Sequence, residues 1–222
     1  IQILTEEGTI SLMAKGARGL KSNLRIGTMK LTKGIFCINR KPDKLSLLSG
    51  VDVQNEFKNI NKDIFKISYA TFIVELSEQV IRQNNNTEIY HILASSLQKI
   101  EEGFDASIIT SILELKFLDF LGVMPIIDMC CVCGAKTGIA TLSSSRGGYI
   151  CKNCVTNELI VSEKTIKLIR MFYYVDISKI SNLEISNQSK KEISDFLDEY
   201  YDRYTGLFLK SKSLLKNLNK VG

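Results

Sequence analysis

The chain has 222 residues, which is enough for one large domain or two small ones. Its 45% apolar and 24% charged residues are the proportions of an ordinary soluble globular protein. No apolar run approaches the roughly 18 residues that a membrane span needs, and no secretory leader is visible. Because the sequence begins without Met, in a segment with the pattern of a strand, we expect it to start inside a longer natural protein.

The positive charge is concentrated at the two ends of the chain. The net charge is +5, but residues 1–50 hold nine Lys and Arg against three acidic residues. Residues 203–222 hold five basic residues and no acid, so the middle of the chain is acidic. This asymmetry favours a polyanionic partner such as nucleic acid. The alternative is a solvated surface on which basic residues cluster by chance.

The N-terminal quarter of the chain has the pattern of short strands. Runs of apolar residues are interrupted by Gly, Pro and polar turn residues. The predicted elements are a hairpin of residues 1–5 and 9–15, a basic Gly-rich stretch at 16–27, a strand at 28–39, a Lys-Pro-Asp turn at 41–43 and short alternating strands to about residue 57. Short strands in so small a segment indicate a small barrel or half of a sandwich.

The pattern changes to helical spacing near residue 60. Helices are predicted at residues 64–80, 89–100, 106–121 and 190–204. A further helix is predicted to begin after Ser162, a candidate N-cap. The adjacent Glu101 and Glu102 fit the end of a helix better than a catalytic pair. The lone His91 fits an ordinary helix residue better than a general base.

Four of the six cysteines form two Cys-x-x-Cys pairs, Cys130 with Cys133 and Cys151 with Cys154. The spacing between the pairs is within the range of zinc sites built from two knuckles. Zinc prefers four thiolates in a tetrahedron at about 2.3 Å, and four cysteines leave no coordination position for water. The sequence therefore predicts one structural Zn²⁺. Gly134 permits the backbone turn that such a knuckle often needs.

The cysteines also allow other interpretations. Six cysteines can form three disulfides, but paired cysteines in a chain without secretory features favour metal. A redox dithiol is a further alternative, although it needs only one Cys-x-x-Cys pair. Cys131 is expected to be a bystander, because a single residue separates it from Cys133. Cys37 is expected to be a buried strand residue.

Motifs along the whole chain resemble the RecO family of bacterial recombination mediators, and their order and spacing together carry the resemblance. The motifs are Leu4-Thr5-Glu6-Glu7-Gly8, Ala14-Lys15-Gly16-Ala17-Arg18, Leu121-Gly122-Val123-Met124-Pro125, Asp128 with the first Cys-x-x-Cys-Gly knuckle, Gly147-Gly148 before the second knuckle, Tyr204-Thr205-Gly206 and Leu209-Lys210-Ser211.

The resemblance implies an α+β protein with two domains. An OB-fold β-barrel that binds nucleic acid would occupy residues 1–58, and a helical domain would occupy residues 59–222. A four-cysteine zinc module at residues 128–156 would be inserted in the helical domain. The resemblance also implies that the first strand of the barrel lies upstream of Ile1. Not every member keeps the zinc cysteines, but all four are present here.

The implied activity is DNA repair and recombination without bond chemistry, so no enzyme is expected. Such proteins bind single- and double-stranded DNA and anneal complementary strands. With the partner RecR, they help to load RecA onto strands coated by single-strand-binding protein. This implies a cytoplasmic, nucleoid-associated protein that does not act at a membrane. The competing interpretation is a zinc-ribbon scaffold for protein interactions that does not bind DNA.

Phosphate contacts are expected from six basic residues around the Gly-rich stretch, and Gly16 and Gly19 are expected to keep it pliable. The six candidates are Lys15, Arg18, Lys21 and Arg25 in the loop after the second strand and Lys30 and Lys33 on the next strand. Few aromatic residues accompany them, so base stacking and sequence preference should be weak. The alternative is a solvated hairpin loop. Arg146 and Lys152 in the zinc module are either DNA contacts or surface residues.

The basic C-terminal region suggests a second interaction site at Arg203, Lys210 and Lys212. One use would be further DNA contact. Another would be docking of the acidic tail of single-strand-binding protein, which ends in an apolar residue and a carboxylate. A third interpretation is an amphipathic helix with a solvated Lys face.

Overall fold

The fold is that of a computed structural model, which describes residues 1–41 and 44–218. It contains two compact units. The first comprises Ile1–Gly103 and the described residues from Ser211 onward, and the second comprises Phe104–Lys210. The domain boundary predicted after residue 58 and the module bounds 128–156 stay predictions. Two residues of the predicted turn at 41–43 lie outside the described residues.

The first unit contains a mixed four-stranded sheet made of β1 (Gln2–Thr5), β2 (Gly8–Met13), β3 (Lys33–Asn39) and β4 (Ser46–Asn55). The strand order is β1-β2-β4-β3. The β1–β2 and β3–β4 pairs are antiparallel, and the β2–β4 pair is parallel. The mixed α+β class is thereby confirmed. The described strands form an open sheet rather than a closed barrel.

The predicted hairpin is confirmed, but the next strand begins later than predicted. Thr5 pairs with Gly8 across a two-residue turn. Residues Ile26–Thr28 form a short 3-10 helix, and β3 begins only at Lys33. Lys30 therefore precedes the strand on which it was predicted. The segment between β2 and β3 was expected to be a pliable loop, yet it is a run of consecutive hydrogen-bonded turns. In each turn a backbone N–H donates to the carbonyl three residues earlier. The four pairs are Ala17 to Ala14, Gly19 to Gly16, Ser22 to Gly19 and Arg25 to Ser22.

The helices of the first unit are α1 (Lys58–Asn61), α2 (Ile64–Gln83), α3 (Thr87–Glu102) and, apart from its first residue, α7 (Lys210–Leu218). The predicted α2 and α3 are confirmed, whereas α1 was not predicted. The side chain of Asp63 caps α2 by accepting from two backbone N–H groups. The Glu101 carboxylate accepts from the backbone N–H groups of Asn59 and Ile60 at 2.9–3.1 Å. Glu101 is thus a cap for α1 from the end of α3.

The second unit is built around α4 (Ala106–Phe120), which is buried along most of its length. It packs against α5 (Glu163–Tyr174) and α6 (Asn187–Tyr204). Ser162 caps α5 as predicted, because its hydroxyl accepts from the Thr165 N–H at 3.1 Å. The buried Tyr201 hydroxyl on α6 donates to the Glu114 carbonyl at 2.8 Å. None of the helices in the described ranges is long and apolar enough to span a membrane.

Candidate metal centre and basic segment

The four predicted cysteines converge in the second unit. The Sγ atoms of Cys130, Cys133, Cys151 and Cys154 all lie within 4.8 Å of one another. Sγ of Cys133 lies 3.6 Å from Sγ of Cys151, and all four thiols are free. Four sulfurs around one Zn²⁺ at about 2.3 Å would be separated by about 3.8 Å. The four cysteines can therefore hold one metal ion, and the spread of their sulfur atoms fits a tetrahedral thiolate site.

Local turns present each pair of sulfurs to the same point. The Gly134 N–H donates to the Cys130 carbonyl at 2.9 Å, which closes the first knuckle. Gly134 has a φ of 77°, so the glycine allows the left-handed turn that follows the second sulfur. The Cys154 N–H donates to the Cys151 carbonyl at 2.9 Å in the second knuckle. The sequence prediction for Gly134 is confirmed.

The surroundings of the sulfurs shift the pKa of two of the four thiols. Burial raises the pKa of Cys130, but backbone N–H groups of Cys151 and Cys133 outweigh it and lower the pKa to about 6. Hydrogen bonds to Cys133 and Cys151 raise the pKa of Cys154 to about 12. The pKa of Cys154 therefore lies far above neutral when no cation is bound. A bound metal ion supplies the positive charge that makes four adjacent thiolates stable.

A short hairpin connects the two knuckles. Strands β5 (Ile139–Ser143) and β6 (Gly148–Cys151) are antiparallel. The backbone of Ile126 bridges to the start of β6. Its carbonyl accepts from the Tyr149 N–H at 2.8 Å, and its N–H donates to the Gly147 carbonyl at 2.9 Å. A Cβ placed on Gly148 would lie 2.2 Å from the Ile126 carbonyl oxygen, so only glycine fits this contact.

Replacing Gly148 with alanine is therefore expected to lower the melting temperature by several degrees and to reduce metal retention. The added methyl group would force β6 away from Ile126 and displace the second knuckle. Differential scanning fluorimetry and metal analysis would measure both effects. Gly138→Ala is the matched control, because Gly138 also has a positive φ, 68°, but a Cβ there meets no atom within 4 Å. Equal melting temperatures for the two variants would contradict the close-contact explanation.

The other two cysteines do not belong to this cluster. Cys131 is half-buried and packs against the core formed by Cys130, Ile150 and Cys151. Burial raises the pKa of its thiol, which fits a bystander. Cys37 lies in β3 but is exposed, so the prediction of a buried strand residue was wrong. The side chains of β3 alternate between exposed and half-buried, and Cys37 has the exposed parity.

Arg146 in the same hairpin is held by neighbouring side chains. Its guanidinium donates to the Glu158 carboxylate at 2.8 Å and to the Thr156 hydroxyl at 2.9 Å. The Thr156 N–H in turn donates to Glu158 at 2.7 Å. This network ties the hairpin turn to the chain after the second knuckle and gives Arg146 a structural partner. Lys152 is exposed.

All six candidate DNA contacts lie on or next to the turns of residues 14–33, here named the basic segment. Lys15, Arg18, Lys21 and Arg25 precede or join the 3-10 helix, Lys30 follows it, and Lys33 opens β3. All six side chains are exposed. Among the described residues, none of the six forms an ion pair with a carboxylate. Their charges are therefore available to an external anion.

Comparison with known proteins places the chain in a family. A family profile described as "Recombination protein O C terminal" matches residues 61–213. The "DNA repair protein RecO" of Listeria monocytogenes serotype 4b is 33% identical over 225 residues, which cover 99% of this chain and 88% of the relative. The chain belongs to the RecO family. The protein of the same name from Bacillus pumilus is 33% identical over 226 residues, covering 100% of this chain and 88% of the relative.

RecO membership confirms the resemblance drawn from the sequence motifs. The predicted partner-binding residues Arg203, Lys210 and Lys212 remain a prediction. Arg203 lies near the end of α6 and pairs with Glu199 on the same helix at 3.1 Å. Lys210 and Lys212 lie in the first turn of α7. The N-terminal turn of α7 is held by Glu75 on α2, which accepts from the Ser211 N–H at 2.9 Å. Sequence reasoning missed Glu75, whose partner Ser211 is 136 residues away, and Glu158, whose bond to Arg146 depends on the fold of the hairpin.

Proposed function

We propose that this RecO-family protein is a DNA repair and recombination mediator that works without bond chemistry. In this proposal it binds single- and double-stranded DNA and anneals complementary strands. With RecR, it helps to load RecA onto strands coated by single-strand-binding protein. The observation that carries the proposal is the basic segment, whose six exposed cations have no carboxylate partner in the described part of the chain. The named relatives, which are DNA repair proteins, support it.

DNA binding would rest on phosphate neutralisation. Each Lys or Arg that contacts a phosphate releases a condensed counterion, so affinity falls as salt concentration rises. Backbone contacts of this kind carry no sequence information and suit a protein that must act on any damaged strand. The six candidates are Lys15, Arg18, Lys21, Arg25, Lys30 and Lys33.

We further propose that the N-terminal sheet is an OB-fold, with residues 1–58 as the nucleic-acid-binding domain and residues 59–222 as the helical domain. The parallel β2–β4 pair within the order β1-β2-β4-β3 supports this, because hairpins alone would give only antiparallel neighbours. One further strand between the edges of β1 and β3 would close a five-stranded barrel. The basic segment connects β2 to β3 at the end of this sheet.

The proposed metal is one structural Zn²⁺ held by Cys130, Cys133, Cys151 and Cys154. The bound ion would supply four bonds that cross-link the two knuckles and no reactive position. The module needs such a cross-link because its own core is small. The buried cluster next to the two knuckles consists of Cys130, Ile150 and Cys151, so apolar burial there gives little stability.

The proposed partners besides DNA are RecR, RecA indirectly, and the acidic tail of single-strand-binding protein. We propose Arg203, Lys210 and Lys212 for the tail, and a cytoplasmic, nucleoid-associated location. Reversing charge with Arg203→Glu and Lys210→Glu is expected to weaken binding of an acidic peptide with an apolar C-terminal residue about 10-fold. Fluorescence anisotropy with a labelled peptide would measure this. Lys179→Glu is the control, and equal affinities in all variants would argue against the assignment.

The experiment that tests the proposed function is strand annealing. Two complementary oligonucleotides, labelled with a donor and an acceptor fluorophore, are mixed with and without the protein. The proposal predicts faster annealing with protein and loss of the acceleration at high salt, because both strands must be drawn to the same cations. An annealing rate that the protein does not change would contradict it.

A further inference from the structure

The basic segment combines its cations with exposed apolar side chains. Leu20 is 85% exposed, Met29 62% and Ile26 48%. No acidic residue lies between Glu7 and Asp43 in the sequence, so nothing in this stretch offsets the positive charge. Large aliphatic side chains that are exposed to solvent next to cations without an ion-pair partner indicate a ligand with both anionic and apolar groups.

The backbone holds these apolar side chains at the surface. Leu20 and Lys21 are the two central residues of a turn that is closed by the Ser22 N–H donating to the Gly19 carbonyl at 3.0 Å. The central side chains of such a turn face away from the hydrogen bond that closes it.

The 3-10 helix that carries Ile26 is anchored to the sheet. Gly27 is buried, and a Cβ on it would lie 2.6 Å from the side chain of Val51 on β4. Because Gly27 packs against the sheet, Ile26 and Met29 lie on the solvent side of the segment, and both are exposed.

Each of the three exposed apolar residues has a basic neighbour in the sequence, in Leu20-Lys21, Arg25-Ile26 and Met29-Lys30. Duplex DNA presents its phosphates to such a surface but keeps the faces of its bases stacked inside. A single strand presents phosphates and unstacked base faces together. Proteins that place Leu, Ile or Met against base faces in a duplex must first unstack a base step, at a cost in free energy. A single strand offers the same base faces without that cost. The ligand that offers both contacts at once is single-stranded DNA.

We propose that Leu20, Ile26 and Met29 contact the faces of unstacked bases and make the basic segment prefer single-stranded over duplex DNA. This rests on the proposed function, since it assigns a specificity to the same DNA site. Aliphatic contacts take the place of the aromatic stacking that the aromatic-poor N-terminal segment lacks. An anionic membrane surface is the competing ligand, but it suits a helix with one continuous apolar face. Here the chain is a series of short turns in which apolar and basic residues alternate.

The test is a titration of the full chain and of Leu20→Ser/Met29→Ser against three probes. The probes are a labelled thymine 30-mer, a labelled 30-base-pair duplex, and vesicles containing anionic phosphatidylglycerol. Leu159→Ser is the matched control, because Leu159 is 88% exposed and lies in the second unit. Melting temperatures of both variants confirm that these exposed substitutions leave the fold intact.

The double variant is expected to bind the thymine strand about 10-fold more weakly and the duplex less than 2-fold more weakly. The salt slope should not change, because no charge is altered. Equal losses on strand and duplex, or wild-type affinity for the strand, would overturn the inference while leaving DNA binding in place. A loss confined to vesicles would assign the surface to lipid. A wild-type protein that binds neither form of DNA would remove both this inference and the proposed function.

Discussion

Cys133→Ser or Cys151→Ser is expected to abolish metal binding and to lower the melting temperature by about 10 °C. The four sulfurs within 4.8 Å of one another form one site, so loss of any one leaves three thiols and an incomplete tetrahedron. The buried cluster next to the knuckles is small, so the metal is expected to supply much of the energy that holds them together. A loss of roughly 4 kcal/mol corresponds to this shift in a chain of this size. Thermal melting with and without a chelator, together with metal analysis, would measure it.

Two cysteine variants serve as controls for the metal site. Cys37→Ser removes an exposed thiol outside the cluster and should leave both metal content and melting temperature unchanged. Cys131→Ser removes the half-buried neighbour and should retain one metal ion per chain. If chelation left the melting temperature of the wild-type protein unchanged, the structural role of the metal would be wrong.

Arg18→Glu with Lys21→Glu is expected to weaken binding to single-stranded DNA at least 100-fold at low salt. The two substitutions remove two phosphate contacts and add repulsion within a segment that has no compensating acid. The slope of log affinity against log salt should become shallower by roughly 1.4, because each neutralised phosphate contributes about 0.7. Anisotropy titrations over a range of salt concentrations would give both quantities.

The control for this pair is Lys58→Glu with Lys62→Glu. It makes the same change in net charge in the same unit, on exposed residues in and just after α1 and outside the basic segment. Only a small loss of affinity is expected, from the weaker overall field. Equal losses in the two double variants would mean that binding depends on net charge alone and would contradict a defined DNA site.

Much of the local structure could be predicted from the sequence, because it depends on near neighbours. The helical spacing of apolar residues predicts α2 to α6, and Ser162 caps α5 as its hydroxyl chemistry suggests. The cluster of Cys130, Cys133, Cys151 and Cys154 follows from knuckle spacing, since each pair needs only one turn of chain.

The remaining features depend on contacts between residues far apart in sequence. Glu101 caps α1 across more than forty residues, and the Glu75 carboxylate holds the start of α7 from α2. Gly148 fits against the Ile126 backbone, a contact that no local pattern reveals. The late start of β3 has a similar cause. Buried Gly27 packs the 3-10 helix of Ile26–Thr28 against Val51 on β4, and a turn with Leu31 at a φ of 56° then precedes β3.

The most direct test of this account is one titration with metal analysis of the same sample. A labelled single-stranded oligonucleotide is titrated with the full chain at two salt concentrations, and the bound metal is identified and counted. The account predicts one zinc ion per chain and an affinity that falls steeply as salt rises. One zinc ion with no DNA binding would contradict the mediator function and favour a zinc-ribbon scaffold for protein interactions.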